Sequence, residues 1–424
     1  MADTAKLGLR ATLHLLGPGP FRRYMVGEAV SMTGTWMQMM AQGWVVASLT
    51  TSALVLGIVN FAASIPSLFL AMYAGSLADR HDKRLILQLT QFAQIAGAVL
   101  VGYLVQTGQF QVWHLIAVAL LLGVSTAFEM PAAAAIVPEL VPRQDIFRAI
   151  ALDRAVFHAT RLVGPALAGV CVAQLGAASA FYINALTFVA LIAAVATLPK
   201  RPPGTAEEEA ARQTGFREGL AYVRSDVPTL GMIGVLTLTT TLIFPMVMVL
   251  MPIYAVHVLK TGPDGMGILM GLSGVGALVG AFGLLTVEPA QRPARMLLAA
   301  GFIALALAGM SQSRAVWQAA GCIALLTLGT SMLIGLANTT IQERAPDALR
   351  GRVSAVAGLA FFGIMPFAGI GVSSLVDLMG MRTMMLTNAT LFAAGAGWIL
   401  LTQARRACSG PAREPVAEAA ADLV

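Results

Sequence analysis

Long apolar runs separated by short polar connections make up most of this chain. A helix needs about twenty apolar residues to cross the hydrocarbon core of a bilayer. Twelve segments reach or approach that length: 25–49, 53–77, 85–106, 111–138, 146–174, 178–198, 229–258, 265–286, 296–311, 316–340, 352–377 and 382–403. The pattern therefore predicts an all-α integral membrane protein with twelve transmembrane helices, of which the ninth is short.

One long polar stretch separates the sixth predicted span from the seventh. It contains Pro202 and Pro203 followed by an acidic cluster, which is typical of a linker. The chain then divides into a six-helix bundle over 1–198, a cytoplasmic linker over 199–227, a second six-helix bundle over 228–404 and a disordered cytoplasmic tail over 405–424.

A weak internal repeat supports this division. Glu139 and Glu343 are 204 residues apart, and so are Pro142 and Pro346. In both copies a basic turn follows, and then a small-residue helix that contains a proline. Both copies fall on the same side of the membrane, after the fourth and the tenth span. A parallel repeat of this kind predicts two bundles related by a pseudo-two-fold axis along the membrane normal.

Composition excludes a soluble globular protein. Hydrophobic residues make up 57% of the chain and charged residues 11%, whereas soluble domains have about 45–50% and about 25%. The three cysteines are too scattered for a disulfide framework or a metal site. The sequence has no glycine–lysine dipeptide, as a phosphate-binding loop would need, and no nucleophile elbow. We therefore expect neither an enzyme nor an ATP-driven pump, and no metal or cofactor.

The distribution of basic residues predicts the orientation. Of the 27 lysines and arginines, only Lys260, Arg314 and Arg382 fall in the loops on one side, and two lie within the fifth span. The other 22 fall on the opposite side, which the positive-inside rule identifies as the cytoplasm. We expect both termini to be cytoplasmic, in a bacterial-type inner membrane. The net charge of +6 then indicates contact with anionic membrane lipids and requires no nucleic acid.

The predicted cytoplasmic loop "AGSLADRHDKR", residues 74–84, concentrates charge between spans two and three. Gly75 would allow a close helix approach, and Asp79 could accept charge-assisted hydrogen bonds from the other bundle. Its basic residues, which could bind lipid headgroups or acidic partners, are Arg80, Lys83 and Arg84. These features predict a conformational latch, while the alternative is that the charges only determine topology.

This loop resembles the G-x-L-A-D-R-x-x-R-R signature of the major facilitator superfamily. Residues 34–57, 127–142 and 151–169 are similar to the branch that contains the enterobactin exporter and related drug and metabolite exporters. The resemblance covers essentially the whole chain. It implies the major facilitator fold and movement of a small molecule by alternating access. The loop between spans eight and nine keeps only Arg292 and Arg295 of a second copy of the motif.

Ionisable and polar residues within spans are costly and therefore mark candidate sites. In span one, Glu28 and Gln42 fall on one helix face with Thr35 and Met39. Glu28 is a candidate proton or substrate site, and the alternative is an interfacial residue that reaches water. Glu129 precedes Pro131, which we expect to break span four near the cytoplasmic mouth, so that Glu129 is a gate or capping residue or a proton site.

Span five holds the densest set of candidates. Its charged and titratable members are Asp153, Arg154, His158 and Arg161. Gly164, Pro165 and Gly169 resemble the antiporter motif of the superfamily's exporters. We expect this helix to pack against span eight, which has the glycine pairs Gly267 and Gly271 and Gly276 and Gly280; generic small-residue packing is the alternative. Arg161 is expected to pair with Glu28 or Glu129.

These features favour a secondary exporter of a drug, siderophore or metabolite that is driven by proton antiport. An importer of a nutrient or metabolite is the alternative, although the antiporter-like fifth span counts against it. A non-transporting membrane receptor is a third hypothesis. We expect a monomer whose partners are a small-molecule substrate, protons and membrane lipids.

Overall fold

The computed structural model describes residues 14–199, 216–284, 287–347 and 349–409. Its regular structure is helical throughout these ranges. The continuous membrane-length helices are α1 Pro20–Leu49, α2 Ala53–Arg80, α3 Lys83–Gln106, α4 Val112–Glu139, α5 Ile146–Leu175, α6 Ala177–Ala196, α8 Pro263–Gly283, α9 Arg292–Gln312, α10 Val316–Arg344 and α12 Met381–Ser409.

Two helices, α7 and α11, are interrupted. The segments of α7 are Val227–Leu238, Thr239–Ile243, Phe244–Met248, Met251–Ile253 and Tyr254–Val258, and those of α11 are Arg350–Gly358, Leu359–Gly363 and Met365–Met379. The segments 239–243, 254–258 and 359–363 are π-helical. Pro245, Pro252 and Pro366 lie beside these interruptions, because proline removes a backbone donor and disfavours a continuous helix.

Twelve membrane-length helices agree with the sequence pattern. Within the described ranges, eleven helices are both long and apolar enough to cross a bilayer. The twelfth, α1, has 30 residues and is therefore long enough, but polar side chains such as Glu28 and Gln38 lower its hydropathy. Both polar side chains are buried among other helices, which explains how α1 remains in the bundle. The chain is an integral membrane protein.

The helices form two bundles. In the first, α1 packs against α5 and α6, α2 against α4, and α3 against α4 and α6. In the second, α10 packs against α8 and α9, and α12 against α9 and the first segment of α7. The main contacts between the bundles are those of α5 with α8 and of α2 with α11.

The alternating direction of the helices defines two ends. The basic end contains the connections after α2, α4, α8 and α10 together with the start of α1. The opposite end contains the connections after α1, α3, α5, α7, α9 and α11. Because α1 begins and α12 finishes at the basic end, the two ends of the described chain lie on the same side.

The structure corrects three boundaries. The helix α2 continues through residues 74–80, so that only His81 and Asp82 separate it from α3. The helix α4 passes through Pro131 without a break and ends at Glu139. The ninth span, predicted to be short, has 21 residues in α9 because the helix begins at Arg292.

The two polar segments contain more helix than predicted. The helix α12 extends to Ser409, so residues 405–409 of the predicted disordered tail are helical. Within the predicted linker, Phe216–Ser225 forms a ten-residue helix, hereafter the linker helix. The remaining residues of the tail and of the linker, 410–424 and 200–215, lie outside the described ranges.

The linker helix docks on the second bundle at the basic end. Val223 is buried, and a Cβ at Gly219 would lie 2.8 Å from the carbonyl oxygen of Arg352. Glu218 forms an ion pair with Arg352, and the Tyr222 hydroxyl donates to the carbonyl oxygen of Arg344 at 2.7 Å. The linker helix is therefore part of the packed second bundle.

Asp226 connects the linker helix to α7. Its carboxylate accepts from the Thr229 backbone nitrogen at 3.1 Å and caps α7, and it accepts from Nε and Nη2 of Arg344 at 2.9 and 2.6 Å. Burial favours the protonated form, but the hydrogen bonds from Arg344 and Thr229 outweigh it and hold the pKa of Asp226 below its usual value. Burial is also the main reason that the pKa of Tyr222 is raised.

Candidate functional site

A central pocket lies between the two bundles. It is bordered by α1, α5, α7 and α8 and is partly open to its surroundings. Trp36 and Met39 contribute from α1, Arg161 and Pro165 from α5, and Ser273 from α8. Its apolar wall consists mainly of methionines, of which Met248, Met251 and Met270 come from the second bundle.

The crossing of α5 and α8 closes one side of this pocket. A Cβ at Gly169 would lie 3.1 Å from Cα of Gly267, and one at Gly267 would lie 2.8 Å from the carbonyl oxygen of Pro165. Only glycine permits so close a backbone approach. The prediction that α5 packs against α8 through Gly267 and Gly271 is confirmed.

The second glycine pair of α8 has a different partner. Gly276 and Gly280 face α10, where a Cβ at either position would contact the backbone around Ala324 or Leu328. The helix α8 therefore uses its first pair of glycines between the bundles and its second pair within its own bundle.

Two polar contacts join the bundles at the opposite end. Asp377 of α11 accepts hydrogen bonds from Ser52 and from the first backbone amides of α2. The Nε2 atom of His257, in the last segment of α7, lies 2.8 Å from the Ala47 carbonyl oxygen and 3.2 Å from that of Thr50. The sequence analysis did not identify either residue. Asp377, a lone carboxylate two residues before the end of α11, was the available signal.

The inter-bundle contacts extend only part of the way through the molecule. Along α2 they run from Ser52 to Leu68, and along α5 from Gly169 to Leu162. Toward the basic end this packing is not continued: the first segment of α11, Arg350–Gly358, packs mainly against the linker helix, whereas the last segment, Met365–Met379, packs against α2. The central pocket therefore faces the basic end.

Arg161 does not form the predicted carboxylate pair. Its guanidinium carbon lies 5.6 Å from the centroid of the Trp36 ring, a cation–π arrangement. Trp36 in turn makes an edge contact with Phe157, at 5.7 Å between centroids. Glu28 and Glu129 are engaged elsewhere, inside the first bundle. The prediction that Arg161 pairs with either of them is wrong.

The carboxylates of α1, α4 and α5 converge in the first bundle. Glu28 is 8% exposed, is hydrogen-bonded to Tyr24 one turn earlier, and is close enough to Glu129 and Asp153 for their charges to interact. Their proximity means that the three groups cannot all ionise without mutual repulsion. Three of the predicted candidates therefore form one acidic cluster.

Glutamines of α3 hold Glu129 in this cluster. Its oxygens accept from Nε2 of Gln91 at 2.7 Å and from Nε2 of Gln94 at 2.5 Å, and Ser31 of α1 donates to Gln91 at 3.5 Å. Both glutamines are buried. The sequence analysis missed them, although amides at i and i+3 in an apolar span were a usable signal.

The other polar candidates have fewer contacts. Arg154 is exposed, and the Nδ1 atom of His158 is buried without a hydrogen-bond partner. Gln42 is half-buried on α1, about one turn beyond Met39 of the central pocket. None of these three side chains joins the acidic cluster through a hydrogen bond in the described part of the chain.

The basic residues at 80–84 bind within their own bundle. Lys83 pairs with Glu139 at the end of α4, with 2.8 Å between Nζ and Oε1. Arg84 pairs with Asp82 at 2.9 Å and donates to the Leu198 carbonyl oxygen at 2.6 Å. Arg80 is exposed. In this conformation the acidic partners of Lys83 and Arg84 thus lie on the same side of the bundle interface.

Two other residues of the motif have separate outcomes. Gly75 lies inside α2 with open space around its Cβ position, so the expected close helix approach there is wrong for this conformation. The side chain of Asp79 lies outside what the structure describes. The latch remains a prediction.

The second bundle repeats the contact of Lys83 with Glu139. Arg292, at the start of α9, forms a bidentate pair with Glu343 at the end of α10, in which Nη2 lies 3.0 Å from Oε1. Glu139 and Glu343 are the residues that the internal repeat aligned. Glu139 joins the end of α4 to the start of α3, and Glu343 joins the end of α10 to the start of α9. The same contact in both bundles is expected of a parallel repeat.

Comparison with known proteins places the chain in a family. The model of the transmembrane secretion effector family matches residues 12–418. The chain belongs to this family of major facilitator transporters. Its members are transporters and not enzymes, in agreement with the sequence analysis.

Several curated relatives match most of this chain. Multidrug efflux pump Tap of Mycolicibacterium fortuitum is 26% identical over 379 residues, which cover 87% of this chain and 92% of that protein. The staphyloferrin A transporter of Staphylococcus aureus is 25% identical, covering 82% and 87%, respectively. Macrolide efflux protein A of Streptococcus pyogenes is 24% identical, covering 88% and 93%.

Solved structures with a similar fold include major facilitator transporters. The nucleoside transporter NupG superposes with a TM-score of 0.72 at 11% identity, over 90% of this chain and 98% of that one. A bacterial homologue of the human lysosomal transporter Spinster, in an inward-facing and unoccupied conformation, gives 0.69 at 12% identity, over 91% and 97%. These likenesses show the twelve-helix fold.

Proposed function

We propose that this protein is a secondary active exporter of small organic molecules that works by alternating access. The observation that carries the proposal is the central pocket, which inter-bundle contacts close toward the opposite end while this packing is not continued toward the basic end. The names of the relatives, two efflux pumps and a staphyloferrin A transporter, support export of organic compounds.

The basic end is assigned to the cytoplasm. It holds most of the lysines and arginines, as cytoplasmic loops do. On this assignment both termini are cytoplasmic, and the conformation described is inward-facing. An exporter in this conformation takes up its substrate from the cytoplasm or from the inner leaflet. Closure at the basic end and separation at the opposite end would then complete the cycle.

The acidic cluster is assigned to proton coupling. Glu28 is buried beside Tyr24 and interacts with Glu129 and Asp153, so that protonation of one member relieves the repulsion of the others. A proton taken up from outside and released to the cytoplasm would bias the exchange between conformations. We assign the residues at 75–84 to a latch that forms at the basic end when that end closes.

Export is tested in cells and in vesicles. Expression in an efflux-deficient bacterium should raise tolerance to one or more members of a panel of antibiotics, dyes and siderophores. Proteoliposomes that contain the purified protein and an imposed pH gradient then show direction and coupling. Proton antiport is supported if the substrate accumulates against its own concentration gradient only when the side that it is moved to is acidic. Uptake into cells of a nutrient, with no change in tolerance, would favour the importer.

A further inference from the structure

The wall of the central pocket has one charged side chain among the described residues. The residues around it are Trp36, Pro165, methionines, Val247 and Ser273, and Arg161 alone carries a charge. An arginine at membrane depth is costly unless a counter-charge or water accompanies it. Among the described residues, Arg161 has a cation–π contact with Trp36 and no ion pair with a carboxylate.

The nearby carboxylates are occupied elsewhere. Glu129 is held by Gln91 and Gln94, and Glu28 is hydrogen-bonded to Tyr24. These groups lie between helices of the first bundle and do not line the central pocket. A cationic compound in the pocket would therefore meet Arg161 and none of the acidic groups.

A second unsatisfied donor accompanies Arg161. Trp36 borders the pocket and is only 8% exposed. Its Nε1 atom is buried and has no hydrogen-bond partner. A buried indole N–H normally has a partner. The guanidinium is close to the same ring. The pocket thus offers a cation and an unpaired hydrogen-bond donor at one place, and none of its described lining residues is negatively charged.

We propose that the central pocket binds an organic anion, whose charged group is received by the Arg161 guanidinium and the indole N–H of Trp36. The apolar body of this anion packs against Met248, Met251 and Met270, whose flexible thioether chains adapt to different shapes. Carboxylates and sulfonates attached to an aromatic or alicyclic body have this chemistry. The assignment rests on the proposed transport function and names the substrate class of the same site.

A matched set of probes tests the charge requirement. The full-length protein in lipid nanodiscs is equilibrated with 2-naphthoate, 2-naphthamide or 2-naphthylmethylammonium, and binding to empty nanodiscs is subtracted. We expect a Kd for the anion at least about tenfold lower than for the neutral amide, because a charge-assisted hydrogen bond is worth roughly that factor or more. The ammonium probe should bind no better than the amide.

Variants locate the effect. Arg161→Gln should abolish the preference for the anion, and an elution profile in size exclusion like that of the wild type shows that the variant is folded. Arg161→Lys should retain part of the preference, since lysine keeps the charge but loses the bidentate geometry. Trp36→Phe should weaken anion binding severalfold. Arg295→Gln, at an exposed arginine of α9 outside the pocket, should behave as wild type.

The inference is overturned if the wild type shows no preference for the anion, or if Arg161→Gln keeps it. Counterflow of the same probes in proteoliposomes separates this result from the proposed function. If the amide or the ammonium compound is moved but the anion is not preferred, the transport function stands and the anion assignment is wrong. If the anion is bound preferentially but no compound is moved, the anion site stands and the transport function is wrong.

Discussion

Asp377 of α11 reaches across the bundle interface to Ser52 and caps the N-terminus of α2, which follows Ser52. The carboxylate accepts from Ser52 Oγ at 2.5 Å and from the backbone nitrogens of Ala53 and Leu54 at 2.6 and 3.1 Å. The N-terminus of a helix carries unpaired N–H groups and partial positive charge, which favour a carboxylate. One side chain of the second bundle thus satisfies an end of a helix in the first. Separation of the bundles at this end would break all three hydrogen bonds.

Replacement of Asp377 by Asn should therefore favour opening at the opposite end. The amide keeps the shape but loses the charge, and hydrogen bonds to charged groups contribute about 1.5–3 kcal/mol. A cysteine introduced in place of Ser373, which is buried where α11 meets Gly57 of α2, reports this opening. In a background without native cysteines, Asp377→Asn should increase labelling of the introduced cysteine by an impermeant maleimide from outside about tenfold or more.

The control for this experiment is Asp264→Asn, at the same end of the molecule in the first turn of α8. This change should leave the labelling rate near that of the parent. Equal labelling in the parent and in Asp377→Asn would mean that the carboxylate does not hold this end closed.

The crossing of α5 and α8 offers a matched pair of glycine substitutions. A Cβ at Gly267 would lie 2.8 Å from the Pro165 carbonyl oxygen and 2.9 Å from Cα of Gly169, so the two backbones must separate. One turn later, a Cβ at Gly271 would lie 3.4 Å from its nearest neighbour, an ordinary contact. Gly267→Ala should lower the melting temperature in detergent and reduce transport severalfold, whereas Gly271→Ala should change both little. Equal effects of the two substitutions would show that the close backbone approach at Gly267 does not account for the loss.

The pair of Lys83 and Glu139 is suited to a charge reversal. Both side chains are largely buried, at 12% and 29% exposed, so that loss of one partner leaves the other without compensation. Lys83→Glu and Glu139→Lys should each reduce the amount of folded protein in the membrane. The double variant should recover most of it, as seen by fluorescence-detected size exclusion. A double variant no better than either single one would show that the pair is not coupled.

Much of the fold could be predicted from the sequence, because apolar length is a local property. The helix count, the approximate limits of most spans and the contact of α5 with α8 followed from runs of apolar residues and from closely spaced glycines. The equivalence of Glu139 and Glu343 also came from the sequence, since a repeat preserves spacing. In the structure each glutamate binds a basic residue at the start of the preceding helix, Lys83 of α3 or Arg292 of α9.

The candidate site was less predictable, because its contacts join residues that are distant in the chain. Helical periodicity placed Glu28 and Arg161 on particular faces but did not show that Trp36, and not a carboxylate, lies beside Arg161. The contact of Asp377 with Ser52 spans more than three hundred residues. Helix-breaking residues were also misjudged: Pro131 is accommodated within α4, whereas the prolines of α7 accompany interruptions.

The hydrogen bonds of Asp226 predict that the stability of the folded protein decreases in acid. Because the pKa of this carboxyl is lower in the folded protein, its contribution to stability is present above the unfolded value, about 3.9. That contribution is lost as pH falls through the folded pKa. Asp226→Asn should therefore lower the melting temperature at pH 7, and the difference from wild type should shrink progressively as pH falls below about 4. Asp347→Asn, which removes an exposed pair with Arg350, serves as the control and should have little effect at either pH.

Glu28 provides the most demanding test of proton coupling. In the proposed cycle the acidic cluster exchanges a proton whenever the protein changes conformation, and Glu28 is its most buried member. Glu28→Gln keeps the hydrogen-bonding shape of a protonated carboxyl beside Tyr24 but cannot release a proton. Export driven by a pH gradient in proteoliposomes should be abolished. Counterflow, in which substrate exchanges without net proton movement, should remain at least partly intact.

The pattern of the two activities decides between roles for Glu28. Equal loss of both would make it a structural or substrate-binding residue, because such a defect affects every mode of transport. Unchanged export under a pH gradient would place coupling on another group, and the same pair of assays on Glu129→Gln and Asp153→Asn would then identify it. Glu288→Gln, at an exposed carboxylate of the basic end, should leave both activities unaltered. A selective loss confined to the acidic cluster is the result that proton coupling through this cluster requires, since these carboxylates share the repulsion that makes one proton affect the others.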